Sequence, residues 1–213
     1  MDEIVILLHG LGRTPRSMRP IQRRLEKEGY RVHNLSYPST RHTIEVCSSC
    51  LNAALSKIVS AGHRVSFVTH SMGGLVLRHF LSHHPLAWQS IVMLCPPNQG
   101  STLAAKLSHA LGPLFLAAVG PAGKQLGKGG MCIVNNLPTL DGKVGIIAGD
   151  KSVEPYFSWL IPERDDGKVG IEETHLAEMS DFLVLHHSHS FIMNSADTQD
   201  QIVYFLRHHQ FCR

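Results

Sequence analysis

The chain has 213 residues, of which 43% are hydrophobic and 17% are charged, and its formal net charge is +3. The length suits one domain, and the composition supplies a hydrophobic core and excludes an intrinsically disordered chain. The longest basic cluster, Arg23, Arg24 and Lys27, is balanced by Glu26 and Glu28. No dense basic stripe remains, so nucleic acid is not an expected partner.

The sequence gives few indications of targeting. The first residues lead directly into a predicted strand, without the basic segment and cleavage site of a signal peptide. The apolar run over 114–119 is too short to cross a bilayer, so no transmembrane segment is predicted. Five scattered cysteines do not resemble a disulfide framework. A cytoplasmic location is therefore expected, and nothing indicates an oligomeric state.

Short apolar runs alternate with amphipathic patterns along the chain. The predicted strands cover residues 4–8, 30–35, 64–69, 89–94, 144–148 and 182–185. The predicted helices cover residues 20–28, 43–61, 71–82 and 198–207. This alternation predicts an α/β fold in one domain over 1–213, with a mostly parallel sheet of about six strands and helices on both faces.

The segment near 101–130 differs from the rest, because an Ala/Leu-rich helical stretch over 103–119 is followed by Gly- and Pro-rich sequence. Three structures suit it: a lid, a wall for an acyl chain, or a packed helix. The composition favours simple packing, since Ala/Leu helices are ordinary core elements.

A motif with chemical meaning follows the third predicted strand, where Thr69-His70-Ser71-Met72-Gly73-Gly74 opens a helix. A tight strand-to-helix turn of this kind exposes a serine hydroxyl above the sheet, as in the pattern G-x-S-x-G. This sequence departs from the pattern at Thr69. The alternative is a helix-capping serine, which is common after a strand.

The first predicted strand ends in His9-Gly10-Leu11-Gly12. Together with H-S-M-G-G and Pro96-Pro97-Asn98-Gln99-Gly100-Ser101, this turn resembles small lipases and esterases of the α/β-hydrolase superfamily. The resemblance implies an α/β-hydrolase fold. It also implies that Ser71 is a nucleophile and that the N–H groups of Leu11 and Met72 form an oxyanion hole, with His9 and His70 as supporting residues.

The resemblance places the general base late in the chain, in the loop after the last strand, where His186, His187 and His189 lie. His189 is favoured because it precedes a small and an apolar residue before the last helix, and His187 is the main rival. The H-H-x-H cluster could also bind a metal, but no nearby Cys, Asp or Glu completes such a site.

The acid of the resembled enzymes orients the imidazole, and two positions suit it. Asp166 lies in Asp165-Asp166-Gly167-Lys168-Val169, which is similar to the D-G-x-V loop that carries the acid in many lipases. Asp150 ends the preceding predicted strand and is the alternative. Asp165 is expected to point away, and each of the three could instead be an ordinary turn aspartate.

These residues together predict a serine hydrolase of the esterase or lipase type that works through an acyl-enzyme, with a small-molecule or lipid ester as substrate. No cofactor and no metal are expected. The alternatives are a thioesterase, amidase or acyltransferase on the same residues, or a hydrolase-fold protein that binds ligands without catalysis.

Overall fold

The computed structural model describes residues 3–60, 62–130, 132–140 and 142–213. Its core is one six-stranded sheet in the order β2-β1-β3-β4-β5-β6, and every neighbouring pair is parallel. The strands are β1 (Glu3–Leu8), β2 (Arg31–Leu35), β3 (Arg64–His70), β4 (Ile91–Leu94), β5 (Val144–Gly149) and β6 (Asp181–Leu185). The predicted parallel sheet of about six strands is confirmed, and all six strands are parallel.

The strands are continuous apolar runs because both faces of the sheet are covered. Successive residues of β1 alternate between the two sides: Ile4 and Ile6 belong to one buried cluster, and Val5 and Leu7 belong to the other. Residues of helices α2 (Ile44–Ile58) and α3 (Met72–His83) also belong to the first cluster, and residues of α1 (Arg19–Lys27) and α7 (Ala196–His208) also belong to the second. The prediction of helices on both faces is confirmed. The described helices are α1 (Arg19–Lys27), α2 (Ile44–Ile58), α3 (Met72–His83), α4 (Thr102–Leu111), α5 (Pro113–Gln125), α6 (Pro155–Ser158) and α7 (Ala196–His208).

The predicted helical boundaries need two corrections. The helix expected over 43–61 ends at Ile58, and Ala61 lies outside the described residues. The single helical stretch expected over 103–119 is wrong, because α4 ends at Leu111 and α5 begins at Pro113. Gly112 adopts φ +48°, which ends α4, and proline is well suited to the first position of the next helix.

Helix α5 also has a kink at Gly120, where φ is +75° and Pro121 follows. A side chain at Gly120 would collide with the Thr40 backbone carbonyl, so this helix packs directly on the loop after β2. In the described part of the chain, no helix has the length and apolar character needed to cross a membrane.

Candidate active site

Ser71 occupies the turn between β3 and α3, with φ +53° and ψ −126°. Positive φ is strained for a residue with a side chain, and such strain is typical of functional turns. Gly73 makes the turn possible, because a Cβ there would lie 2.8 Å from the backbone oxygen of Leu8. The serine is thus held against the carboxyl end of β1, as the glycine pattern predicts.

The departure from the usual pattern at Thr69 is accommodated by the fold. Thr69 is completely buried, and an ideal Cβ at Gly74 would lie 3.4 Å from its hydroxyl oxygen. The second glycine of the motif therefore leaves space beside the larger residue. The Thr69 hydroxyl has no hydrogen-bond partner among the described residues.

Two hydrogen bonds join Ser71, His189 and Asp166. His189 Nε2 lies 3.0 Å from Ser71 Oγ, and His189 Nδ1 lies 2.7 Å from Asp166 Oδ2. The three residues are 7%, 4% and 1% exposed, respectively. Since a carboxylate only accepts, Nδ1 donates to Asp166, and the free lone pair of Nε2 faces the serine hydroxyl.

The loop that carries Asp166 is itself fixed. Oδ1 of Asp166 accepts the backbone N–H groups of Lys168 at 3.0 Å and Val169 at 2.8 Å. The backbone N–H of His189 donates to the Asp166 carbonyl at 2.9 Å. The acid and the imidazole are therefore held by their main chains as well as by their side chains.

His70 supports the same loop from the other side. Its Nε2 donates to the His189 carbonyl at 2.9 Å, and the two rings are 4.9 Å apart. Burial, and then the neighbouring His189, lower the pKa of His70 well below its ordinary value. His70 is thus a neutral donor rather than a base, which suits the supporting role expected for it.

The turn after β1 lies directly against the serine. An ideal Cβ at Gly10 would be 2.9 Å from His70 Nδ1 and 3.1 Å from Ser71 Cβ, so only glycine fits there. The turn is fastened where Gly12 N donates to Ser39 Oγ at 3.1 Å and Tyr37 donates to the His9 carbonyl. Within the described residues, the N–H groups predicted for the oxyanion hole, those of Leu11 and Met72, donate to no protein group.

The alternative residues have other partners. Asp150 accepts from Arg164 and contacts His186 Nδ1 at 2.9 Å, away from His189. His187 Nε2 lies 2.8 Å from both Asp197 oxygens. Because each imidazole of the H-H-x-H cluster contacts a different carboxylate, the three do not converge on a common metal position.

Asp165 also points elsewhere, since its Oδ1 accepts from Ser158 Oγ at 2.6 Å and Gly167 N at 2.7 Å. The expectation that it is directed away from the base agrees with these contacts.

Sequence reasoning missed Cys95, which follows β4 and has φ +47°. Cys95 Sγ, a carboxylate oxygen of Asp166 and a ring nitrogen of His189 all lie within 4.8 Å of one another. Burial, and then the Asp166 carboxylate, raise the pKa of this thiol well above its ordinary value, so it stays protonated. No motif in the sequence marks this position.

A cavity of about 330 Å³ opens on Ser71 and His189. Its lining is mostly apolar, and α4 and α5 form one wall of it. The residues of this wall are Leu103, Ala104, Leu107, Phe115, Ala118 and Val119. Two cations that sequence reasoning overlooked, Arg13 and Lys168, also line the cavity. Their positions in the sequence could have indicated this, because Arg13 directly follows H-G-L-G and Lys168 lies inside D-D-G-K-V.

Comparisons with known proteins agree with this architecture. The lipase BlEst2 of Bacillus licheniformis superposes with a TM-score of 0.78 at 19% identity, covering 96% of this chain and 92% of that one. Phospholipase PlaB of Legionella pneumophila gives 0.75 at 18% identity, covering 97% of this chain and 59% of that one. The type II thioesterase YbtT, from the yersiniabactin pathway, gives 0.65 at 13% identity, with 97% and 92% covered. At these identities the likeness is one of fold.

A search of curated proteins found no match. The sequence itself matches the alpha/beta hydrolase family over residues 5–187, which is most of the chain. With the six parallel strands and the strained serine turn described above, the chain belongs to the alpha/beta hydrolase family.

Proposed function

We propose that this protein is a serine hydrolase that cleaves carboxylic esters, with Ser71, His189 and Asp166 as its catalytic triad. The observation that carries the proposal is the buried chain of two hydrogen bonds, at 3.0 Å and 2.7 Å, from the serine through the imidazole to the carboxylate. A capping serine would need neither the imidazole nor the strained backbone that Ser71 adopts.

The reaction follows from this arrangement. Ser71 Oγ attacks the ester carbonyl carbon while its proton passes to His189 Nε2, and Asp166 stabilises the resulting imidazolium. The N–H groups of Leu11 and Met72 stabilise the oxyanion. The carbon–oxygen bond then breaks, His189 protonates the leaving alcohol, and an acyl-serine remains. Water, deprotonated by His189, releases the acid and restores the serine.

The apolar wall of α4 and α5 suits an acyl chain. This was one of the three roles that the sequence over 101–130 allowed, the others being a lid and a packed helix. Phe115, on the cavity, is 6% exposed, whereas the neighbouring Leu114 is 72% exposed. One face of α5 thus lines the cavity and the other faces solvent. We infer that this segment is part of the single domain and binds the acyl chain.

The test is hydrolysis of p-nitrophenyl esters of increasing chain length by wild type and Ser71→Ala, with fluorophosphonate labelling of both. We expect activity and labelling in the wild type and neither in the variant, which keeps the fold because the change is small. Ser101→Ala is a matched control, since Ser101 also lines the cavity but contacts no imidazole.

Labelling that persists in Ser71→Ala would refute the proposal, and so would an unlabelled, inactive wild type. The same acyl group offered as an ester, a thioester and an amide then ranks the reactions that this triad could perform. A preference for the thioester would replace the ester assignment and leave the triad intact.

A further inference from the structure

Two cationic residues, Arg13 and Lys168, line the otherwise mostly apolar cavity. Arg13 follows the glycine turn after β1, and Lys168 lies in the loop that carries Asp166, to which its backbone N–H donates. The two residues therefore border the cavity from two loops at the carboxyl edge of the sheet. Neither belongs to the proposed triad or to the oxyanion hole.

Arg13 has no carboxylate partner among the residues that the structure describes. It is half-buried, and its side chain donates one hydrogen bond to the described residues, from Nη2 to the carbonyl of Ser190, which is long at 3.4 Å. Within the described residues, no acidic oxygen lies within 4.0 Å of it, whereas Arg24 and Arg213 each contact an aspartate. A partly desolvated guanidinium held by a single carbonyl is ready to bind an anion.

Lys168 is only loosely neutralised. Its Nζ lies 3.3 Å from a Glu154 carboxylate oxygen, and both side chains are about one-third exposed, at 36% and 32%. Such surface pairs contribute little free energy, so the ammonium can also contact an anion in the cavity.

The position of Arg13 relative to the triad indicates which part of a substrate it meets. Its guanidinium touches Ser190, the residue after His189, and its positive charge is one of the causes that lower the pKa of His70. His189 is the group that protonates the leaving oxygen in the proposed reaction. On this ground the cation is assigned to the leaving-group side, and the α4–α5 wall to the acyl chain.

We propose that Arg13 and Lys168 bind a phosphate group that the leaving alcohol carries a few bonds from the scissile ester. This assignment rests on the proposed function of Ser71. The predicted substrate class is a monoacyl ester of a phosphorylated alcohol, with an apolar acyl chain along α4 and α5 and the phosphate between the two cations.

A matched substrate pair tests this assignment: 1-octanoylglycerol and 1-octanoylglycerol 3-phosphate, both below the concentrations at which they form micelles. They contain the same ester and differ only in the phosphate. We expect wild-type kcat/KM to be higher for the phosphate by about tenfold, the effect of one charge-assisted contact. In Arg13→Gln this ratio should approach one, and in Lys168→Gln it should fall part of the way.

Arg16→Gln and Lys151→Gln are matched controls, because each removes one positive charge from an exposed side chain that does not line the cavity. Both should keep the wild-type ratio. A similar fall in these controls would indicate a general effect of net charge and would overturn the assignment.

Binding to Ser71→Ala, measured by calorimetry, gives a readout without turnover. The phosphate ester should bind about tenfold more tightly than the neutral ester, and adding Arg13→Gln should remove the difference. Equal affinities would overturn the phosphate site even if neither ester is hydrolysed. Fluorophosphonate labelling of Ser71 in the wild type would then still stand, so failure of this inference is distinguishable from failure of the proposed function.

Discussion

Replacing Asp166 by Asn should inactivate the protein without unfolding it. Oδ1 of Asp166 accepts two backbone N–H groups, so the amide oxygen of Asn must stay on that side, where an amino group would meet two donors. The amino group then faces His189 Nδ1 at the place of the 2.7 Å hydrogen bond. Because it donates, Nδ1 must become an acceptor and the proton of the ring moves to Nε2.

That change of tautomer removes the base from the serine. Nε2, which lies 3.0 Å from Ser71 Oγ, would carry a hydrogen and could no longer accept the serine proton. The same change in a serine protease triad lowers kcat about 10⁴-fold, which corresponds to about 5 kcal/mol of transition-state stabilisation. Stability should change little, because two of the three hydrogen bonds described for the side chain of residue 166 are kept.

The assay is kcat/KM on p-nitrophenyl butyrate, with the free energy of unfolding measured in urea. Asp150→Asn is the matched control, since Asp150 lies at the end of β5 but contacts Arg164 and His186. It should retain activity within about threefold, which corresponds to about 0.6 kcal/mol in the activation free energy. A large loss in Asp150→Asn, or full activity in Asp166→Asn, would refute the assignment of the acid.

Two further predictions concern the cavity and pH. Phe115→Ser should reduce kcat/KM for octanoate esters more than for acetate esters. Leu114→Ser, on the solvent side of α5, should leave the octanoate-to-acetate ratio of kcat/KM unchanged. The same ratio in both variants would contradict the proposal that the α4–α5 wall binds the acyl chain. Burial lowers the pKa of His70 below its ordinary 6.5, so below that pH the unfolded chain binds more protons than the folded protein. The free energy of unfolding therefore decreases as the pH falls below about 6.5, by at most about 1.4 kcal/mol per pH unit from this group. The free energy of unfolding, measured in urea, should therefore fall less steeply between pH 7 and pH 5 for His70→Asn than for wild type. An equal pH dependence of the two proteins would exclude His70 as the cause.

The fold could be predicted because its strands are buried on both faces and so appear as unbroken apolar runs. β1 and β5 were expected within one residue of their observed ends, since a charged residue or a glycine turn borders each run. The break between α4 and α5 was missed because Ala and Leu continue the helical pattern on both sides of Gly112. Gly112-Pro113, a glycine after one helix and a proline at the start of the next, was the signal in the sequence that marked this break.

The order of the candidate site residues along the chain could be predicted from the sequence, but the choice between the alternative residues could not. Asp150 and Asp166 both follow β5, and only the path of the intervening loop brings Asp166 to His189. Gly149 makes that path possible, because a Cβ there would lie 2.9 Å from Asp166 Cβ. Cys95 could not be anticipated, since its closeness to the acid comes from pairing between β4 and β5 rather than from any local pattern. The catalytic roles of these residues stay predictions.

The long sequence separation within the site has a consequence for biosynthesis. The serine and the imidazole that contacts it are 118 residues apart, and β6, which precedes the imidazole, is the last strand along the chain and lies at one edge of the sheet. At about 5–20 residues per second, the ribosome adds His189 about 6–24 s after Ser71. Under the proposed mechanism, the serine hydroxyl lacks His189 as its base throughout that interval, and we expect the growing chain not to be acylated prematurely.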